Sequence, residues 1–449
     1  MTECNGQQVL FSSLGRRQIE ADWNGGTLTS DAGAVLLREV DRRVGLIDAL
    51  NRCIPDPRNP IFIIHEQRTL LSQRIFGIAL GYEDLNDQQG LREDPLFHVI
   101  TERGVYQEQP LGSPPTLCRL ENRVGREALV GMNGVFVETF IRSFAVPPEE
   151  VVLDFDATDD PVHGEQEGRF FHGYYDNYCF LPLYVFCGSQ LLVAYLRPSN
   201  IDAAKHGWAI LALLVKRLRQ AWPAVRIVVR GDSGFCRWKI MRWCDRHDVG
   251  YILGLAKNAV LLREAGASIE EAAEAFEATH EKQRLFAEIE YAAATWDRPR
   301  RVLVKAEHLP DGPNTRFVVT NRPGTPQELY DGLYCQRGEM ENRIKEQQLG
   351  LFADRTSCHG FMANQFRLLL SSAAYVLVEA LRRLGLKGTE LADAQVTTIR
   401  LRLLKIGARI VTSVRRIVLH LAGGYPLKVL FEQVALRLRT FLPFDPVPG

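Results

Sequence analysis

The chain has 449 residues, of which 46% are hydrophobic, 9% aromatic and 24% charged. That balance excludes disordered, collagen-like and disulfide-scaffold classes, and at roughly 150 residues per domain the length points to about three domains. Formal net charge is zero, yet residues 342–449 hold 16 Lys and Arg against 7 Asp and Glu. A basic tail on an acidic body suits a polyanionic partner, although solvated helix faces produce the same asymmetry.

The longest uncharged apolar stretch, residues 368–378, is far short of the ~20 residues of a membrane-spanning helix. The N-terminus shows no basic region followed by an apolar core, so no signal peptide is expected and the protein is placed in the cytoplasm. Nine cysteines are scattered without a CxxC pair, which argues for reduced thiols and against bridges or a zinc site.

In chain order, residues 1–145 read as mainly helical, with amphipathic stretches over 31–40, 65–80 and 116–144 and a boundary near Pro147-Pro148. The period then changes. Val151-Val152-Leu153-Asp154-Phe155-Asp156 is short, apolar and β-branched, the signature of a strand. Strands at 181–187 and 190–196 follow, separated by the two-residue turn Gly188-Ser189. A helix over 202–222, a strand at 226–230, a helix over 236–247 and a strand at 251–255 complete a βββαβαβ order. This is the order of a ribonuclease H-like sheet, a mixed five-stranded sheet with helices, so the fold class is α/β. The predicted domains are 1–145, a helical DNA-binding region; 146–258, the first part of the core; 259–320, an α+β insertion; 321–386, the second part of the core; and 387–449, a basic helical region.

Three acidic residues occupy meaningful places. Asp156 closes the first strand, Asp232 stands just past the fourth in Gly231-Asp232-Ser233-Gly234, and Glu341 sits on a helix over 331–348. First and fourth strands are neighbours in a sheet of this order, so the two aspartates can converge. Gathered carboxylates need compensating charge, which hard divalent cations supply through oxygen ligands. Strand-end aspartates are also ordinary turn residues, and Asp154 shares a face with Asp156, which leaves open that one is only the other's neighbour. On the helix, Tyr334, Arg337, Glu341, Lys345 and Gln348 fall at offsets 0, 3, 7, 11 and 14, a single stripe at ~100° per residue. A solvated face or a phosphate-and-metal surface both fit such a stripe; a core face does not.

With these residues the chain resembles the DDE transposases of bacterial insertion sequences, in particular the group with a β-rich insertion before the final Glu and a Tyr-x2-Arg-x3-Glu-x6-Lys signature. The resemblance is carried by Asp156-Ala157-Thr158, Asp232-Ser233-Gly234-Phe235 and Tyr334-x2-Arg337-x3-Glu341-Asn342, supported by Asp176-Asn177, Leu181-Pro182-Leu183-Tyr184 and residues 251–258. The signature's Lys falls on Gln348, with Lys345 one turn earlier. The resemblance implies that Asp156, Asp232 and Glu341 bind two Mg²⁺ ions, with Mn²⁺ able to substitute, and that Tyr334 and Arg337 contact DNA phosphates. It implies as partners the terminal inverted repeats and the target duplex, a homodimer in the DNA complex, and a place with the bacterial nucleoid. Rival readings are a metal-dependent nuclease that cuts without joining and a DNA-binding descendant that has lost catalysis.

Among other signals, His163 and His172 have poor ligand spacing, and Cys236 with Cys244 reads as core. Trp296, in a loop of the insertion, either stacks an extruded base or packs within the insertion. Arg400, Arg402, Lys405, Arg409, Arg415 and Arg416 lie in a stretch read as an amphipathic pair of helices over 398–442, favouring phosphate contact over a solvated face.

Overall fold

The computed structural model describes residues 9–103 and 109–439. The chain forms two compact units, Val124–Val376 and a second made from both ends, Met1–Arg123 with Leu377–Gly449. The fold is mixed α/β, as expected.

Val124–Val376 is built on a nine-stranded mixed sheet. Its strands are β1 (Glu150–Ala157), β2 (Leu183–Cys187), β3 (Gln190–Tyr195), β4 (Arg226–Gly231), β5 (Gly250–Leu255), β6 (Gln283–Tyr291), β7 (Arg300–Leu309) and β8 (Arg316–Thr320), with a two-residue strand, Gly312–Pro313, beside β7. The spatial order is β6-β7-β8-β5-β4-β1-β2-β3. β1, β2 and β3 pair antiparallel as a meander, and Gly188 takes φ +58° in the tight turn between β2 and β3. β4 runs parallel to both β1 and β5, which demands crossovers. Helix α1 (Gly207–Ala221) makes the first and α2 (Trp238–Arg246) the second.

Strand alternation decides which residues reach the site. Val151, Leu153 and Phe155 of β1 and Ile227 and Val229 of β4 join one buried cluster with Leu211, Leu214 and Leu218 of α1 and Ile240 and Met241 of α2. Successive side chains of a strand point to opposite faces, so Asp154, Asp156, Val228 and Arg230 belong to the other face. There Val228 packs with Leu329 and Tyr330, which open a continuous helical segment: a π-helical stretch Glu328–Tyr334, a 3₁₀ turn Cys335–Arg337, α3 (Gly338–Lys345) and a further π-helical stretch Glu346–Gly350.

Residues 259–320 hold both helices and strands, and their strands extend the main sheet: β8 pairs antiparallel with β5 from Ile252↔Thr320 to Leu255↔Phe317, and β7 with β8. Two expectations are corrected. The helix Arg126–Arg142, read as part of the N-terminal region, lends Val137 and Phe140 to the sheet's core. Residues 398–442 are not helical throughout: between a helical stretch that ends at Leu404 and the α-helix Lys428–Arg439, Ala408–Thr412 and Ile417–Leu421 form an antiparallel hairpin. Residues 440–442 lie outside the described part. The β-branched runs Ile410-Val411-Thr412 and Ile417-Val418 favour the strand over the helix there.

The helix Phe361–Leu386 is long and apolar enough by length and composition to cross a membrane, with mean hydropathy 1.2, but 83% of that stretch is buried, as in a core helix. The eight cysteines among the described residues are free thiols.

In the two-ended unit, Asp41 lies buried near the end of the helix Ala34–Val44, and its Oδ1 accepts a hydrogen bond from the backbone N–H of Ile47 at 2.9 Å. Burial pushes its carboxyl from 3.8 up to about 6, against the pull of that N–H and of Arg68. Its neutral form is therefore favoured by folding, so the stability it contributes is complete below about pH 4 and is lost as the pH rises through 6. Asp41→Asn keeps an acceptor for Ile47 without the charge. Urea unfolding of the variant and the parent should coincide below pH 4, and above pH 6 the variant should be the more stable, by at most about 3 kcal/mol.

Candidate active site

Val124–Val376 holds a cavity of about 630 Å³. Asp156, Asp232 and Glu341 all line it, together with Arg337, Lys345 and Gln348 of the helical stripe. The stripe therefore turns the face anticipated from its spacing toward the two aspartates. Glu339, displaced ~200° from Glu341 on the helix, does not line the cavity. It is exposed and pairs with Arg343 at 3.4 Å.

Asp156 ends β1, where its Oδ1 accepts from the N–H of Ala157 at 2.9 Å. Asp232 follows β4 in a turn and accepts from the N–H of Gly234, also at 2.9 Å. Arg337 stands between the acids, 3.4 Å from Asp156 Oδ2 and in a close ion pair with Glu341. Burial, with repulsion from Asp232 and Glu341, pushes the Asp156 carboxyl up to about 7 even though Arg337 opposes the shift.

Among the described residues no group of three His, Cys, Asp or Glu side chains is close enough to hold one ion. The guanidinium of Arg337 occupies the space between Asp156 and Glu341 and supplies the positive charge there. The donor set still fits a hard divalent cation: three carboxylates on one cavity, one of them destabilised as an anion by its neighbours, are the oxygen ligands such ions take.

Tyr334 is partly buried, with its ring 5.5 Å from that of Tyr330. Its hydroxyl lies over Gly254 of β5, where a Cβ would come within 2.6 Å of that oxygen and 3.0 Å of the Ser233 backbone nitrogen. Only glycine leaves room for this approach of the helical segment to the Asp232 turn. Gln348, at the position of the signature's Lys, donates to the carbonyl of Asp159 at 2.9 Å, while Lys345 is exposed at the cavity.

The other residues expected to contact DNA differ in their surroundings. Trp296 packs edge-on against Tyr291 at 5.4 Å and onto the sheet's core, so its ring is committed to packing. In the two-ended unit, Arg400 is buried, and its guanidinium donates to the carbonyls of Ala79 and Ile78. Lys405 pairs with the buried Asp31 at 2.6 Å and sits 4.1 Å from the Tyr82 ring centroid. Arg402 is exposed and pairs with Glu390 at 3.4 Å. Arg409, Arg415 and Arg416 are exposed on the hairpin Ala408–Thr412/Ile417–Leu421 and its turn.

Asp154, which shares a strand face with Asp156, has Arg230 as its partner. These residues lie opposite each other on β4 and β1, and the guanidinium grips the carboxylate through two bonds of 2.5 and 2.7 Å. Nη1 of Arg230 also donates to the carbonyl of Leu333, the residue before Tyr334. Burial raises the Asp154 carboxyl, with Arg230 pulling the other way. The signal for the pair lay in the sequence: each residue stands two positions before a site aspartate, on the same strand face. Not assigned from the sequence were the aromatic residues Tyr174 and Tyr175, which line the cavity beside His172.

Residues 11–442 match the family described as transposase DDE domain group 1. Among solved structures the chain is similar to the cryo-EM structure of a piggyBac transposase synaptic complex with hairpin DNA, at 9% identity and a TM-score of 0.42 over 84% of this chain and 80% of that one. No curated protein matches.

Arg230→Ala leaves the Asp154 carboxylate buried without its partner, and it should lower the unfolding free energy by about 3–5 kcal/mol in urea titration. Replacing both partners with apolar residues, Asp154→Leu with Arg230→Met, should restore most of that loss.

Proposed function

Since the chain belongs to the transposase DDE domain family, group 1, we propose that it cuts DNA at the ends of a bacterial insertion sequence and joins the freed 3′-hydroxyl to a target duplex, on a ribonuclease H-like core. The observation that carries this reading is the meeting of Asp156, Asp232 and Glu341 on one cavity with Arg337 between them.

In this reading Asp156, Asp232 and Glu341 hold Mg²⁺. A pair of such ions, when bound, stabilises charge on the attacking and leaving oxygens of an in-line phosphoryl displacement. The chain's own groups do the rest. Arg337, once Asp156 and Glu341 are otherwise compensated, is free to direct its planar fork at a phosphate oxygen, a geometry that guanidinium matches with two bonds. Lys345 adds a point charge at the cavity in the role the signature gives to position 348, since the Gln348 amide is engaged by Asp159. Tyr334 holds the helical segment against the Asp232 turn, which positions Arg337 at the cleaved end. Water attack at the element's end and attack by the resulting 3′-hydroxyl on target DNA use the same groups, and neither needs a covalent protein intermediate. Arg402, Arg409, Arg415 and Arg416 remain as phosphate contacts in the two-ended unit. Two copies acting together would treat both terminal repeats.

The test is a cleavage and strand-transfer assay on the DNA ends of the element that encodes the chain. With Mg²⁺ the parent should give both cut and joined products. Cut DNA without joined product would make it a nuclease and overturn the transposition reading. Asp232→Ala should abolish both products while binding DNA nearly as well, because phosphate contacts dominate affinity; cleavage by this variant would remove Asp232 from the catalytic set.

The register of the helix gives a second check. Glu341→Gln keeps the shape but loses the charge that holds a cation, and should be inactive. Glu339→Gln, altered only at an exposed ion pair, should cut at close to the parent rate.

A further inference from the structure

Between β1 and β2 the chain makes a small three-stranded sheet of Asp160–Pro161, Asn177–Phe180 and Phe170–His172. Its hairpin tip, Gly173-Tyr174-Tyr175-Asp176, brings aromatic rings to the same cavity as the three acids. Tyr174 is 86% exposed, so its ring is open to a ligand. The rings are ordered: Tyr174 meets Tyr175 edge-on at 5.0 Å, and Tyr175 lies 4.9 Å from His172.

The tip is built to hold its shape. Asp176 adopts φ +54° and its N–H donates to the carbonyl of His172 at 2.8 Å, closing the turn. The next residue, Asn177, donates to Asp159 Oδ2 at 3.3 Å. Farther down, Arg169 lies over the Tyr178 ring at 4.7 Å, and Phe171 packs edge-on against Tyr178. An exposed ring on the same cavity as two cations, Arg337 and Lys345, is an arrangement that binds a nucleotide by its base and its backbone at once. At about 630 Å³ the cavity falls within the ~300–1,000 Å³ of sites that enclose a small ligand.

On the basis of the transposase reading, we infer that the hairpin tip is a stacking site for an unpaired nucleobase of DNA, with Tyr174 as the platform, Tyr175 and His172 as its backing, and the adjoining phosphate directed toward Arg337 and Lys345. The occupant is a base already out of the duplex, since inside a duplex both faces of a base are covered by its stacked neighbours. Stacking is indifferent to base identity, so the site senses an unpaired end and not a sequence. The role anticipated for Trp296 thus passes to a different element, because Trp296 is packed and Tyr174 is open.

The test uses the full chain without added divalent metal, so that no DNA is cut. Fluorescence anisotropy compares a short duplex carrying a single-stranded end of a few nucleotides with the same duplex whose end nucleotides are abasic. The parent should prefer the end with bases by about 5- to 100-fold. Tyr174→Ala should bring the two affinities together, and Tyr174→Phe should keep the preference, because the ring and not the hydroxyl stacks. The exposure of Tyr174 makes both variants safe for folding; circular dichroism and a thermal melt matching the parent confirm it. Equal affinities in the parent, or a preference that survives Tyr174→Ala, would overturn the stacking site and leave the proposed function standing. Failure to bind either DNA would overturn both. A change in oligomeric state with Tyr174→Ala, and none in DNA preference, would show that the tip docks another copy of the chain and would also overturn the inference.

Discussion

One guanidinium ties together the parts that carry the three acids. Arg230 lies on β4 two residues before Asp232, it grips Asp154 two residues before Asp156 on β1, and it donates to the carbonyl of Leu333 at the start of the segment that leads to Tyr334, Arg337 and Glu341. The side chains of the pair are 7% and 2% exposed. A buried ion pair gains little net stability over apolar packing, because desolvating both charges offsets much of their attraction. Its value here is geometric: a planar fork with fixed donor directions sets the spacing of two strands and a helical segment at once. The segments bearing Asp156, Asp232 and Glu341 are thereby held by a group that lies outside the chemistry.

The cavity shows a second constraint, that of uncompensated negative charge. Asp156 is buried beside two other carboxylates, and its carboxyl rises to about 7 despite a direct contact with Arg337. The same crowding raises Tyr175, after burial, through Asp159 and Asp156, to about 12. A site in this condition favours any cation that reaches it. Arg337 answers the demand from within the chain, at the expense of keeping the three carboxylates apart as ligands. The position of Arg337 is thereby linked to the charge state of Asp156 and Glu341.

The basic residues of the last hundred positions divide by their surroundings. Arg400 spends its donors on backbone carbonyls and Lys405 neutralises the buried Asp31, so both serve the fold of the two-ended unit. Arg409, Arg415 and Arg416 remain exposed on a hairpin. Charge surplus along a sequence therefore overstates the surface that DNA would meet.

Much of the core was legible because alternation and helical spacing are local. In 151–156 and 226–230 the period of two put Leu153, Phe155, Ile227 and Val229 on one face and left the other to the polar residues, and the helical offsets placed Glu341 with Arg337, Lys345 and Gln348 on a stripe that lines the cavity. The fates of individual groups were not legible. Trp296 packs or stacks according to what lies beneath its loop, Arg400 and Lys405 bind DNA or support the fold according to partners more than 300 residues away, and residues 259–320 stand apart or extend the sheet according to whether β8 finds the edge of β5. Nor did any spacing bring Tyr174 and Tyr175 to the acids. Periodicity encodes which face an element turns inward; which partner a charge or ring then meets is settled by contacts between distant segments, and only the folded chain makes them.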